Sequence, residues 1–96
     1  MPQYNPPLRD MQFVMHELLN AVEELKAMPR HKDIDADTMN SVLEEGGKFA
    51  AEVIFPLNIS GDAQGCKLDV ATRTVSTPDG FKEAYARFMA DGWQGL

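Results

Sequence analysis

The chain has little of what small chemical sites are usually built from. Its one cysteine, Cys66, excludes an intrachain disulfide and a multi-cysteine metal site, and fits a reducing, cytoplasmic setting. Lys and Arg number nine against fifteen Asp and Glu, for a net charge of −6. The basic residues form no stripe that neutralises a phosphate backbone, so nucleic acid is not an expected ligand. The same balance disfavours an anionic membrane surface. No run reaches the roughly 18 apolar residues of a membrane span, and "MPQYNPPLRD" has no apolar leader core.

Three near-motifs fail for identifiable reasons. "HELLN", from His16, lacks the second imidazole that would put two zinc ligands on one helical face, because Asn20 stands there. "GGK" has Val42 and Phe49 where a phosphate-binding loop needs a glycine and a hydroxyl. Cys66 has one lysine and no histidine beside it, so nothing activates it as a nucleophile. His16 reads as a partly exposed helix histidine and His31 as a loop residue. The carboxylates Glu23, Glu24, Glu44 and Glu45 read as solvated helix faces. No residue is assigned a catalytic, cofactor-binding or metal-binding role.

What is present is an ordinary globular composition, 44% hydrophobic and 25% charged, over 96 residues. A chain this short buries only roughly 60 to 65% of its unfolded surface, so its core is thin. The predicted fold is mainly α, with three main helices over about 10–28, 35–58 and 78–91, and a short β-hairpin near 66–76. Prolines make "MPQYNPP" an extended arm. Asp10 is the expected N-cap of the first helix, and Leu8, Met11, Met15, Leu18, Val22 and Leu25 form its core stripe, ending before Pro29. Phe13 falls on the polar side with His16, Glu17 and Asn20, as a surface for a second partner or as a lone exposed aromatic.

The second helix starts at Asp35, with Ile34 and Met39 spaced as a hydrophobic staple. Its stripe runs through Leu43, Gly46, Phe49, Ala50, Val53, Ile54 and Leu57. Gly46 on the apolar face and Gly47 on its flank leave room for another helix to approach, and Gly46→Leu is expected to destabilise the assembled domain. Pro56 deprives the Glu52 carbonyl of its donor, so a kink or end is expected near Phe55, followed by a turn-rich exit, "ISGDAQG". The hairpin "CKLDVATRTVST" is too short to stand alone and is expected to lean on helices. Thr77 and Pro78 are read as N-cap and first residue of the third helix, which Gly92 ends. Trp93 and Leu96 look like the edge of a larger core. The residues singled out for packing or interface are Phe13, Gly46, Gly47, Pro56 and Trp93.

"PPLRDMQFVMHELL", "VLEEGGKFAAEVIFPLN", "SGDAQGC", "TPDGFKEAY" and "GWQGL" occur in this order from Pro6 to Leu96. Together they resemble the N-terminal segment of the large bacterial FAD-dependent acyl-CoA dehydrogenases. Ile59 departs from that pattern, which more often has a polar or basic residue after "PLN". The resemblance implies that 1–33 is an N-terminal extension with arm and first helix. It implies that 34–96 is the start of the helical N-terminal domain, truncated at its C-terminal end. The parent enzyme would be an oxidoreductase of the fatty acid β-oxidation type. It would take the α-proton of an acyl-CoA thioester with a glutamate and pass a β-hydride to the flavin, giving the 2-enoyl-CoA. The implied glutamate and FAD site lie beyond Leu96, so the 96-residue chain by itself is expected to be inactive. Implied partners are the remainder of the dehydrogenase chain, electron-transfer flavoprotein and further copies in a homo-oligomer. The alternative is a stand-alone helical protein-interaction module.

Overall fold

In the computed structural model, residues 3–95 are described, and they are mainly helical. Contacts divide the chain into two units, Met1–Ala51 and Glu52–Leu96. Among the described residues, the first unit holds three α-helices, and the second holds two, with a two-stranded hairpin between them.

In the first unit, α1 spans Leu8–Gln12 and begins directly after Pro7, so Asp10 lies in the first turn rather than at the cap. There its charge still complements the positive end of the helix. The backbone then widens into a π-helical stretch, Phe13–Leu18, and Asn20 takes a left-handed conformation at φ 50° and ψ 48°. Asparagine tolerates that geometry better than most residues. Helix α2, Ala21–Lys26, starts afresh from it. The single helix expected over 10–28 is therefore interrupted, and its stripe is broken with it. Leu8, Met15, Val22 and Leu25 are half-buried, whereas Leu18 is 66% exposed. A π turn takes an extra residue, which moves later side chains off the 3.6-residue period.

Helix α3, Ala36–Phe49, starts where the sequence indicates. Asp35 is extended, and its Oδ1 accepts the Thr38 backbone N–H at 2.7 Å. Ile34 and Met39, the staple positions, are both half-buried. Gly47 is the buried residue of this helix. A second π-helical stretch, Ala50–Ile54, follows α3 and contains the boundary between the two units.

In the second unit, α4 spans Pro56–Gln64. The α-helical ladder does break near Phe55, as the missing Pro56 donor requires, but no turn-rich exit follows. Pro56 is the first residue of a new helix, a position whose N–H has no intrahelical acceptor in any case. "ISGDAQ" is helical as a result, and α4 stops at Gly65, where φ is 67°. Strands β1, Lys67–Asp69, and β2, Thr74–Ser76, pair antiparallel with Leu68 opposite Val75. The Asp69 carboxylate fixes the turn between them by accepting the N–H groups of Ala71 at 3.0 Å and Thr72 at 3.3 Å. Every strand residue is exposed, so the hairpin does not lean on the helices as expected.

Helix α5, Phe81–Ala90, begins three residues later than Thr77 and Pro78 would place it. Gly80, at φ 89°, reverses the chain first, and the Asp79 N–H is bound at 2.9 Å by the Gln64 side-chain carbonyl. Gly92, also left-handed, follows the helix end, and a 3₁₀ turn, Trp93–Gly95, comes next. Leu96, placed by the sequence at an apolar edge, lies outside the described residues.

Candidate functional site

The polar chemistry of the first unit is structural in form. His16 Nε2 lies 2.7 Å from Asn40 Oδ1, and the pair is partly buried. The bond ties the π-helical stretch to α3 across 24 residues of sequence. Asp35 titrates below the ordinary carboxylate value, because the Thr38 backbone N–H and then the Thr38 side chain bind its charged form, with Lys26 adding attraction. The ion pairs Lys48–Glu45 at 3.3 Å and Arg87–Asp91 at 3.9 Å are both solvent-exposed and contribute little. Among the described residues, no group of three or more His, Cys, Asp and Glu side chains is placed to hold a metal ion. Cys66 is exposed.

Three glycines mark close contacts. A Cβ on Gly47 would stand 3.2 Å from Pro6 Cγ and 3.3 Å from Leu8 Cδ2. The element against Gly47 is thus the arm and the start of α1. In the second unit, a Cβ on Gly61 would lie 2.6 Å from Cζ of the Phe81 ring, and one on Gly80 would lie 2.7 Å from Leu57 Cδ2. These two contacts, with the Gln64–Asp79 hydrogen bond, set α4 against α5. Neither glycine was singled out from the sequence. Gly61 sits in a stretch whose composition reads as loop, and Gly80 follows a proline that reads as a helix start.

Between α4 and α5 lies an open apolar groove of about 430 Å³. Ile54, Leu57 and Asn58 form one wall, and Phe81, Ala84, Tyr85 and Phe88 form the other. No charged side chain lines it. Tyr85 is 64% exposed and Ile54 46%, while Ala84 is the buried hydrophobic residue beneath them. A second concavity, of about 390 Å³, is polar and is lined in part by Asp79, Lys82 and Glu83.

The residues singled out from the sequence are dispersed. Phe13 is 54% exposed in the first π-helical stretch. Gly46 is half-buried and Gly47 buried in α3. Pro56 is exposed at the start of α4, and Trp93 is half-buried in the last 3₁₀ turn. Of these residues, only Gly47 takes part in a close contact identified above, and neither Phe13 nor Trp93 lines the groove.

The chain is 37% identical over 93 residues to the 3-methylmercaptopropionyl-CoA dehydrogenase of Ruegeria pomeroyi. It is 27% identical over 93 residues to a broad-specificity linear acyl-CoA dehydrogenase of Mycobacterium tuberculosis. Each similarity takes in 97% of this chain but only 15% of the relative. The chain is similar to a segment of acyl-CoA dehydrogenases. It spans about 15% of the length of these relatives. No protein-family model matches it. Among the described residues, no helix is long and apolar enough to cross a membrane.

Proposed function

We propose that this chain is the N-terminal segment of a bacterial FAD-dependent acyl-CoA dehydrogenase, and that its role there is structural. The observation that carries this reading is the 37% identity to a named acyl-CoA dehydrogenase, sustained over 97% of the chain. In this reading 1–33 forms an extension and 34–96 opens the helical domain. The parent enzyme is a cytoplasmic oxidoreductase that dehydrogenates acyl-CoA thioesters, works within fatty acid β-oxidation, assembles as a homo-oligomer and delivers electrons to electron-transfer flavoprotein.

The two concavities described above do not fit a flavin dinucleotide. The α4–α5 groove has no cation and no charged side chain to meet a pyrophosphate, and the polar concavity sets two carboxylates against one lysine. No step of the flavin chemistry is therefore assigned to residues of this chain. They contribute packing: the arm on Gly47, the His16–Asn40 tie and the α4–α5 pair.

The test is to sequence the gene beyond the Leu96 codon and purify the polypeptide it encodes. The expected result is a much longer protein with bound yellow flavin that acyl-CoA thioesters bleach. A stop codon directly after Leu96 would sink the reading. Exposed apolar residues such as Phe13 and Tyr85 also suit a stand-alone interaction module. The extended similarity to a named enzyme favours the segment.

A further inference from the structure

We infer that the β1–β2 hairpin is a contact between two copies of this chain, in which β1 pairs antiparallel with β1 of the second copy about a two-fold axis at Leu68. The inference rests on the reading of the parent enzyme as a homo-oligomer, and it names one surface of that assembly. Every residue of both strands is exposed, and among the described residues the sheet has two strands, so each strand keeps an unpaired edge. Two strands alone are marginal in water, and added strands stabilise them. The turn is nonetheless fixed, because Asp69 Oδ1 accepts the N–H groups of Ala71 and Thr72. Leu68 and Val75 face each other across the ladder at 66% and 62% exposure, an apolar pair on one face of the hairpin. Lys67 and Asp69 stand on the opposite face of β1.

Charge complementarity selects the second copy. Lys67, Leu68 and Asp69 run cation, apolar, anion, so an antiparallel self-pairing centred on Leu68 sets Lys67 of each copy directly opposite Asp69 of the other. Centring it on Lys67 or on Asp69 sets like charges face to face, and a parallel in-register pairing does the same. The register is therefore determined by three residues. The same arrangement lines up Val75 and Leu68 of both copies on the other face, as one apolar row across four strands. Both turn bonds of Asp69 go to Oδ1, which leaves Oδ2 for the lysine, and neither ion pair among the described residues involves Lys67. Strand β2 carries no charge to set such a register, and β1 on β2 of the next copy would be a head-to-tail contact that need not close. Three residues from each copy are too few to hold two proteins together, so the pair adds to an interface supplied by the rest of the enzyme.

The experiment is disulfide trapping in the polypeptide that the gene encodes, in a Cys66→Ser background that removes the exposed native thiol. Leu68→Cys and, separately, Val70→Cys are oxidised with copper phenanthroline in air, and the linked peptides are identified by mass spectrometry. Position 68 lies on the axis, where directly opposed Cα atoms are about 4.5–5.5 Å apart, within the span of a disulfide. Two copies of position 70 would stand roughly 13 Å apart along the ladder, beyond that span. Val70 is the more exposed, 79% against 66%, so random collision would favour it. The 68–68 linkage is expected to form at least about fivefold faster than the 70–70 linkage. Adding Lys67→Glu, which gathers carboxylates around the axis, should slow it at least about fivefold, whereas Arg73→Glu, the same charge change placed in the turn, should not. A 70–70 linkage that forms as fast, no 68–68 linkage, or equal slowing by the two charge changes would overturn the pairing and leave the enzyme assignment intact. A gene that ends at Leu96 would remove both this inference and the reading beneath it.

Discussion

The two units spend their glycines differently. In the first, Gly47 admits the tip of Pro6 and a methyl of Leu8 at distances where a Cβ would be crowded by only tenths of an ångström. In the second, Gly61 and Gly80 sit where a Cβ would overlap a neighbour at 2.6 and 2.7 Å, and Gly80 has a left-handed backbone as well. A glycine of the first kind gives room to an irregular arm, which can yield. A glycine of the second kind sets how closely two helices stand and where the chain reverses between them. The second unit is thus expected to respond more sharply to added side-chain volume. Trp93, the single tryptophan and a residue of that unit, reports its unfolding, while far-ultraviolet circular dichroism follows both.

The largest effect is expected at Gly80→Val. A β-branched residue is an outlier at φ 89°, and its side chain meets Leu57, so strain and overpacking together cost about 3 kcal/mol. Gly80→Asn separates the two causes, because asparagine tolerates the left-handed region, and it should lose at least about 1 kcal/mol less. Equal losses, measured by urea unfolding through Trp93 fluorescence, would show that the backbone geometry is not what matters there.

Gly61→Ala comes next. Added helix propensity of about 1 kcal/mol opposes the overlap with the Phe81 ring, and because that ring is 39% exposed it can swing outward. A net loss of about 1 kcal/mol is expected. In a Phe81→Leu background the same substitution should become neutral or stabilising, and an unchanged loss would dissociate Gly61 from the ring.

In the first unit, the His16–Asn40 bond offers a comparison within one face. Replacing His16 with Leu, Asn40 with Ala, and then both should give a coupling energy of about 1 kcal/mol in urea midpoints followed by circular dichroism. No coupling would mean that the π-helical stretch keeps its place without the bond.

These sites mark what was readable in the sequence. The Asp35 cap was readable because it is a local code, a side-chain acceptor three residues before its donor. The mainly helical class and the hairpin position followed from equally local periodicity and turn chemistry. The break near Phe55 is legible, but a proline that ends one helix and a proline that begins the next look alike in sequence, so 59–64, the larger part of α4, reads as a turn-rich exit. Leu18 was misplaced because a fixed 3.6-residue period was carried through a π turn and past the left-handed Asn20. The groove depends on Gly61 meeting Phe81, a pairing twenty residues apart that no local pattern encodes.

Asp35 yields a pH dependence. Its folded pKa is lowered, chiefly by the Thr38 backbone N–H, so its contribution is complete above the unfolded value of 3.8 and is lost as pH falls through the folded value. Asp35→Ala should therefore lower the urea midpoint near neutral pH, with the difference shrinking as both proteins are acidified. Asp35→Asn keeps a capping oxygen without the charge and should show a flatter acid profile. A difference between wild type and Asp35→Ala that persists undiminished in acid would deny the charged cap its role.

The smallest net effect is expected at Gly47→Ala, where the sign carries the information. Alanine gains about 1 kcal/mol over glycine in a helix, and the new methyl must displace the Pro6 ring by a few tenths of an ångström. Pro6 is half-buried and residues 3–5 before it are exposed, so the arm can give way. The two effects should nearly cancel, leaving a change within about 0.5 kcal/mol. Pro6→Ala removes the Cγ at 3.2 Å, and in that background Gly47→Ala should become stabilising, by less than the roughly 1 kcal/mol of helix propensity because Leu8 Cδ2 at 3.3 Å still opposes the methyl. If Gly47→Ala instead destabilises as strongly as Gly61→Ala, the arm is as rigid a neighbour as a packed helix, and the contrast between the two units fails.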